Sequence, residues 1–329
     1  MAEQQIESGD VEFKDRRFGL VGWGIFHILL GALCLFLMVV MGLVMGLGAV
    51  MGKSHGATSV VEPRLMTPAL LVYGALAAWS LTMGIGSLKC RRWARALIAA
   101  ASWLFLVGGG MGLLFAVFLM PDMYGSMVKN GQMPESAARI MRVVMMGFMT
   151  VFYVVLPAGL LLFYSRRDCR ATCEARDPQP RWTDGVPMPV LTVTLMFGLW
   201  AVSILLMGAY GWFFPFFGTI LTGSAGMLAV LMASVLCAAT AWGLGRLRSE
   251  AWAGALALTV AWSVSGYLTF RNMTMLDLYR KMNFPDDQLR VMGQMALPDM
   301  SSLMAMYGAG VVLLLGVLVY SRRYFHGAA

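Results

Sequence analysis

Two stretches of this chain carry no charged side chain over lengths typical of membrane proteins. Phe18 to Gly52 contains no Asp, Glu, Lys or Arg, and Gly185 to Gly245 contains none over 61 residues. About 20 apolar residues cross the hydrocarbon core of a bilayer as one helix. Charged residues make up only 13% of the chain, about half their share in soluble domains. The chain is therefore predicted to be an all-α integral membrane protein.

Apolar segments of span length occur eight times. They are predicted at residues 20–46, 68–88, 96–120, 143–164, 190–214, 224–245, 252–270 and 302–320. Sixteen of the 25 Lys and Arg residues fall in the segments that this arrangement places on one side. An excess of basic residues marks the cytoplasmic side of a membrane. Both termini are therefore expected in the cytoplasm, with the chain in a bacterial inner membrane.

Three short motifs occur twice in the same order, 151 to 159 residues apart. The first motif is Pro followed by an acidic residue and then, five residues after the Pro, by Arg-x-Met. The second is Tyr-Ser-Arg-Arg, and the third is Trp-Ala-x-Ala-Leu. Their copies begin at Pro134 and Pro285, at Tyr164 and Tyr320, and at Trp93 and Trp252. Such self-similarity at one spacing is the signature of a repeat. It predicts a parallel tandem duplication of a four-helix unit.

The duplication divides the chain into five segments. These are a cytoplasmic N-terminal segment (1–17), a first four-span repeat (18–167), a cytoplasmic linker (168–189), a second four-span repeat (190–323) and a cytoplasmic tail (324–329). The charged, Pro-rich linker is expected to be a flexible tether.

Each repeat is also expected to have a short amphipathic outer helix that begins at a Pro-acid pair. In the first repeat this helix is predicted to run without a break from Pro134 to Tyr164. In the second, Pro298 is predicted to end it near Ala296.

Methionine is concentrated between the third and fourth spans of both repeats. Residues 120–146 and 273–306 hold 15 of the 29 methionines. Thioethers could bind Cu(I), but most of these residues recur at helical spacing without His or Cys nearby, which favours a pliable packing surface. Residues in equivalent positions of the two outer helices are expected to contact a partner or lipid. They are Arg139, Met141 and Met145 in the first repeat, and Arg290, Met292 and Met295 in the second.

His27 is the one titratable side chain well inside a predicted span. It could bind a proton or a ligand, but a polar residue hydrogen-bonded to a neighbouring helix is the favoured interpretation. The sequence shows no nucleophile–base pair, phosphate loop or dinucleotide motif, so no enzyme activity, cofactor or metal site is predicted. Net charge is +8, yet the basic residues flank spans, so nucleic acid is not expected as a partner.

The leading functional hypothesis is a non-catalytic scaffold or accessory subunit. Its expected partners are membrane lipids and another membrane protein or a second copy of the chain. Two alternatives stay open: a transporter or channel for a small solute at the repeat interface, and copper handling by the Met-rich outer loops.

Overall fold

The structure is a computed structural model that describes residues 13–55, 63–129, 131, 133–293 and 299–325. It is 84% helical. Within the described residues, eight helices are long and apolar enough to cross a membrane. They are Arg17–Leu47, Met66–Leu88, Arg92–Lys129, Glu135–Tyr164, Met188–Tyr210, Gly223–Gly245, Ser249–Phe270 and Met300–Tyr324. The predicted multi-pass membrane protein with eight spans is confirmed at this level.

The first half of the chain forms five helices that together make four spans. They are α1 (Arg17–His55), α2 (Pro63–Leu88), α3 (Arg92–Lys129), α4 (Glu135–Thr150) and α5 (Leu156–Tyr164). A π-helical turn, Val151–Val155, joins α4 to α5 without a break. The predicted continuous helix ending at Tyr164 is therefore present.

The linker and the second half contain the remaining elements. They are α6 (Arg167–Arg176), α7 (Met188–Ser203) with its 3₁₀ extension (Ile204–Tyr210), strands β1 (Phe214–Phe216) and β2 (Thr219–Leu221), α8 (Gly223–Gly245), α9 (Ser249–Phe270), α10 (Met275–Lys281), α11 (Asp286–Gly293) and α12 (Met300–Ser321). In this half α11 ends at Gly293 and α12 begins at Met300. Ala296 and Pro298, where a break was predicted, lie outside the described residues.

The α2–α3 turn and the α8–α9 turn have the same backbone structure. In each, a residue with positive φ follows the helix, and its N–H donates to the carbonyl three residues earlier. The N–H of the next residue donates to the carbonyl five residues earlier. This is the Schellman arrangement that closes a helix. The donor–acceptor pairs are Cys90–Ser87, Arg91–Gly86, Leu247–Leu244 and Arg248–Gly243. Corresponding residues are 157 positions apart in the sequence.

These turns mark one end of the molecule, here named the basic end because Arg16, Arg91, Arg248 and Arg322 lie there. Hydrogen bonds align the helix ends at this level. Ser87 Oγ donates to the Leu20 carbonyl and lies 2.6 Å from Tyr164 Oη. In the second half, Trp252 Nε1 donates to the Leu318 carbonyl. The opposite end, which holds the methionine-rich segments, is named the methionine-rich end.

One apolar core joins the two halves. Ala96 and Ala100 of α3 pack in the same cluster as Phe197 of α7, Leu244 of α8 and Leu318 of α12. A second cluster lies wholly in the first half and the linker, around Leu20, Tyr164 and the cysteines of α6. Contact between the halves is therefore made by α3 against α7 and α12, and by α2 against the 3₁₀ extension of α7.

The second half departs from the all-α prediction at its methionine-rich end. Strands β1 and β2 form an antiparallel hairpin directly after the fifth span, which ends at Tyr210 and not at residue 214. The N–H groups of Phe217 and Gly218 donate to Ser265 Oγ and Thr269 Oγ1 of α9. Non-helical backbone near a membrane is tolerated when its polar groups are bonded in this way. A hydropathy profile does not predict a short hairpin such as β1–β2.

Candidate functional site

Three of the four spans in the first half are longer than any described span in the second half. Helices α1 and α3 have 39 and 38 residues, and Glu135–Tyr164 has 30, whereas α8, α9 and α12 have 23, 22 and 22. At about 1.5 Å per residue, the second-half helices measure about 33–35 Å and match a hydrocarbon core of about 30 Å. The continuous Glu135–Tyr164 helix measures about 45 Å and α3 about 57 Å.

The excess length of α3 and α4 emerges at the methionine-rich end, because their basic ends lie level with those of the other helices. Counting about 20 residues of hydrocarbon from Trp93 and from Tyr164 leaves roughly residues 114–129 of α3 and 135–144 of α4 beyond the core. These two segments, which are part of packed helices α3 and α4, are named the projecting pair. A tilt of about 20° would shorten the projection only slightly.

The projecting pair exposes large apolar side chains. Phe118 is 76% exposed, Ile140 and Val143 are each 65% exposed, and Met123 and Met141 are also exposed. Ile140 is 24 residues from Tyr164, about 36 Å along the helix, and Phe118 is 25 residues from Trp93. Counted along the helices, both therefore lie about 6–8 Å past a hydrocarbon core of about 30 Å. Apolar area left in this position is costly, which is why exposed patches of this kind mark interaction sites.

The predicted contact residues of the first repeat lie on or beside this surface. Met141 and Met145 are 52% and 43% exposed and follow one another by one turn of α4. Arg139 is exposed and pairs with Glu135 one turn earlier, at 3.4 Å. An exposed pair of this type contributes only a few tenths of a kcal/mol, so Arg139 stays available to a partner at little cost.

The predicted contact residues of the second repeat lie in a different setting. Arg290 is exposed on α11, which packs on α10, and Met292 is half-buried there. Arg290 borders a hollow that Arg280 and Asp286 also line. Met295 lies outside the described residues. The structure thus places the two sets on separate elements, with α4 against α3 and α11 against α10.

His27 is buried, with 7% of its surface exposed. Its Nδ1 donates to the carbonyl of Trp23, 2.9 Å away on the same helix, and the Phe26 ring meets the imidazole edge-on. The sequence had suggested a hydrogen bond from His27 to a neighbouring helix. The described hydrogen bond is instead made within α1. Among the described residues, no group of three or more His, Cys, Asp or Glu side chains is arranged to hold a metal ion.

A close helix contact sets the direction of the projecting pair. The π-helical turn precedes Pro157, whose ring lacks the N–H of a regular helix, and such turns relieve the strain that Pro imposes. The turn brings Tyr153 against Gly109 of α3: a Cβ on Gly109 would lie 2.6 Å from Tyr153 Cβ. Only Gly permits this approach.

The linker is folded at the basic end and the expectation of a flexible tether is wrong. Asp177, only 2% exposed, accepts hydrogen bonds from Arg91, from Arg181 and from the backbone N–H of Arg92. Asp184 accepts a further bond from Arg92 at 3.1 Å. The acidic residues of the linker therefore pair with the arginines of the α2–α3 turn, and they do not remain solvated by water.

The N-terminal segment joins the same network. Arg16 pairs with Asp168 of α6 at 3.2 Å, and Arg176 pairs with Asp15 at 2.9 Å. Burial alone would raise the pKa of Asp177, but the bonds from Arg181 and its other donors hold that pKa below its ordinary value. These contacts, named the linker network, fix the chain that leads from the first half into α7.

Three buried cysteines lie beneath the linker network. Cys90 of the α2–α3 turn and Cys169 and Cys173 of α6 share one apolar cluster with Tyr164, and none is more than 2% exposed. The bond to Cys169, followed by burial, raises the pKa of Cys173, and burial raises that of Cys90. Neither residue is therefore in the thiolate form that makes cysteine reactive.

Comparison with protein-family models, with curated proteins and with solved structures gave no match. The sequence analysis missed the unequal span lengths of the two halves, although the late position of Lys129 in α3 was a usable signal. It also missed the pairing of Asp177 with Arg91, which depends on contacts 86 residues apart.

Proposed function

We propose that the protein is a non-catalytic membrane scaffold or accessory subunit that docks another membrane protein through the projecting pair. The observation that carries this proposal is the exposure of Phe118 and Ile140 beyond the hydrocarbon. Full burial of one such side chain stabilises a complex by about 1.5–3 kcal/mol. A partner that covers several of them gains enough to offset the cost of association.

The shape of the projecting pair favours a protein over lipid as its occupant. On α4 the exposed residues Ile140, Met141, Val143 and Val144 spread over about 160° of the helix circumference at 3.6 residues per turn. A helix that lies on a bilayer could bury such a face in the headgroup region. Here α4 continues directly into a span, so its outer part points away from the hydrocarbon core and a protein covers this face better than lipid.

The methionines fit the same proposal. Met141 and Met145 lie among Val143, Val144 and Phe148, all exposed. Flexible thioethers surrounded by aliphatic groups form adaptable docking surfaces. Copper handling has less support, because soft-metal sites are stronger when thiolate or imidazole ligands join the thioethers. The solute-path alternative also has less support, since Ala100 and Phe197 pack in one core between the halves.

The proposal includes a parallel tandem duplication and a cytoplasmic basic end. The matched turns at Cys90 and Leu247 support the duplication, because the same six-residue closure recurs 157 residues on. Lys and Arg bias supports the orientation. Reporter fusions after Phe325 and within the α3–α4 loop test it: a cytoplasmic reporter active only in the loop would overturn the assignment.

Purification from the native membrane in mild detergent tests docking. We expect a stoichiometric second membrane protein with the wild type, and its loss from Ile140→Glu, which places a charge on the apolar surface without entering the hydrocarbon. Ser136→Glu adds the same charge to an exposed polar position of α4 and serves as the matched control. Recovery of the chain alone, or equal recovery of the partner with both variants, would refute the proposal. Recovery of a second copy only would replace the partner with self-association.

A further inference from the structure

The outer face of α9 carries an open apolar groove of about 560 Å³. It is lined by Ala253, Ala257 and Ala261, which recur every fourth residue, and by Leu256 and Val260 of the same helix. The buried residues of α9, such as Thr259, face the opposite way into the bundle. Pockets of about 300–1,000 Å³ hold small apolar ligands, so the groove is large enough for a flexible hydrocarbon chain.

The groove has the length of one lipid leaflet. From Trp252 at the basic end to Val264 it follows 12 residues of α9, about 18 Å, which is a little over half of the ~30 Å hydrocarbon core. At its far end stands Phe217, held there by the bond from its N–H to Ser265 Oγ. A crossing helix from a partner would have to continue past Phe217, whereas an acyl chain ends within its own leaflet.

A cation stands at the basic end of the groove. The guanidinium carbon of Arg322 lies 5.5 Å from the centre of the Trp252 ring. The indole is itself fixed, because its Nε1 donates to the Leu318 carbonyl at 2.8 Å. This level corresponds to the headgroup region, where basic side chains attract anionic lipid. The apolar groove and the nearby cation therefore both favour an anionic lipid as the ligand.

We infer that this groove is a binding site for one anionic phospholipid, with an acyl chain along Ala253, Ala257 and Ala261 and the phosphate beside Arg322. The site is independent of the projecting pair, since it lies on another half and at the other end of the molecule. It can be tested whether or not a protein partner is found.

The acyl-chain part of the site is tested by filling the groove. The full chain is reconstituted in nanodiscs of equal phosphatidylglycerol and phosphatidylcholine, extracted in mild detergent, and weighed by native mass spectrometry. We expect one retained phospholipid in the wild type and its loss from Ala257→Phe. Ala239→Phe, which enlarges an exposed alanine of α8 at a similar distance from the basic end, should retain it. Equal retention by the two variants would overturn the inference, as would recovery of the wild type as a dimer that carries no lipid.

The headgroup part is tested by neutralising the cation. Arg322→Gln should reduce the preference for phosphatidylglycerol over phosphatidylcholine about fivefold, which corresponds to ~1 kcal/mol per basic residue. Arg246→Gln, whose cation stacks on Trp242 outside the groove at 4.2 Å, should leave the preference unchanged. No preference in the wild type, or equal losses in both variants, would contradict a phosphate site. Displacement of the lipid by millimolar inorganic phosphate would show that the free anion is the ligand instead.

Discussion

The contact between Gly109 and Tyr153 gives a prediction in which adjacent glycines respond in opposite directions. Gly109→Ala would put a Cβ 2.6 Å from both Cβ and Cδ1 of Tyr153. Non-bonded carbons are normally about 3.5–4.0 Å apart, so α3 and the π-helical turn must separate by about 1 Å. Among the described residues outside α3's own backbone, no heavy atom lies within 4 Å of the same added atom on Gly108 or Gly110, so alanine fits at both.

The magnitudes decide the sign at each position. Replacing Gly by Ala within a helix contributes about 0.8–1.0 kcal/mol through propensity. Overpacking of a close contact costs about 1–3 kcal/mol. Gly109→Ala is therefore expected to lose up to about 2 kcal/mol, whereas Gly108→Ala and Gly110→Ala should be neutral or more stable than the wild type.

The three variants are compared by unfolding in mixed micelles of mild detergent and SDS, followed by circular dichroism. The ranking to look for is Gly109→Ala below the wild type and both neighbours at or above it. If Gly109→Ala is as stable as Gly108→Ala, the helices do not meet at this point. The direction of the projecting pair would then need another explanation, because α4 reaches it through the turn that contains Tyr153.

Three further predictions concern the basic end. Asp177→Asn should cost about 2 kcal/mol, less than the 3–5 of a fully buried pair, because Arg91 and Arg181 are 40% and 34% exposed. Since the folded pKa of Asp177 is depressed, this stabilisation is present above the unfolded pKa of about 3.9 and is lost as the pH falls through the folded value. Melting temperatures of the two proteins, measured from pH 7 downward, should therefore differ most at pH 7 and approach each other only below a pH of about 3.9. Maleimide should label Cys173 slowly in the wild type and faster in Asp177→Asn, as measured by mass spectrometry, and equal rates would exclude a link to the linker network. Trp252→Phe should lose about 1 kcal/mol with its hydrogen bond, measured by chemical unfolding, and an unchanged midpoint would show that the bond contributes nothing.

The elements that the sequence predicted well are those that depend on local composition. Every predicted span overlaps an observed one, because about 20 apolar residues suffice to specify a membrane helix. The continuous helix to Tyr164 was also predicted, since no Pro interrupts its outer part. The π-helical turn has a local cause in Pro157, where the chain adjusts its hydrogen bonds and the helix continues.

The features that were not predicted depend on contacts between distant residues. Linker composition resembled a tether because Asp177 and Arg181 look like solvated charges when read alone. In the folded protein Asp177 is buried and also accepts a hydrogen bond from Arg91, which is 86 positions earlier in the sequence. The hairpin at Phe217 similarly depends on hydroxyls of α9, which a hydropathy profile counts as weakly polar positions in a span.

The two proposed sites assign different tasks to the two halves. The first half has overlong helices and presents apolar side chains such as Ile140 outside the hydrocarbon. At the same end the second half is shorter and its aromatic rings pack on one another: Tyr210 stacks on Phe284, Phe213 stacks on Phe270, and the hairpin bonds to α9. A duplicated unit with equal roles would show matched ends. The difference instead favours a division in which the first half contacts a protein and the second half is held by lipid, and variants in one site should leave binding at the other unchanged.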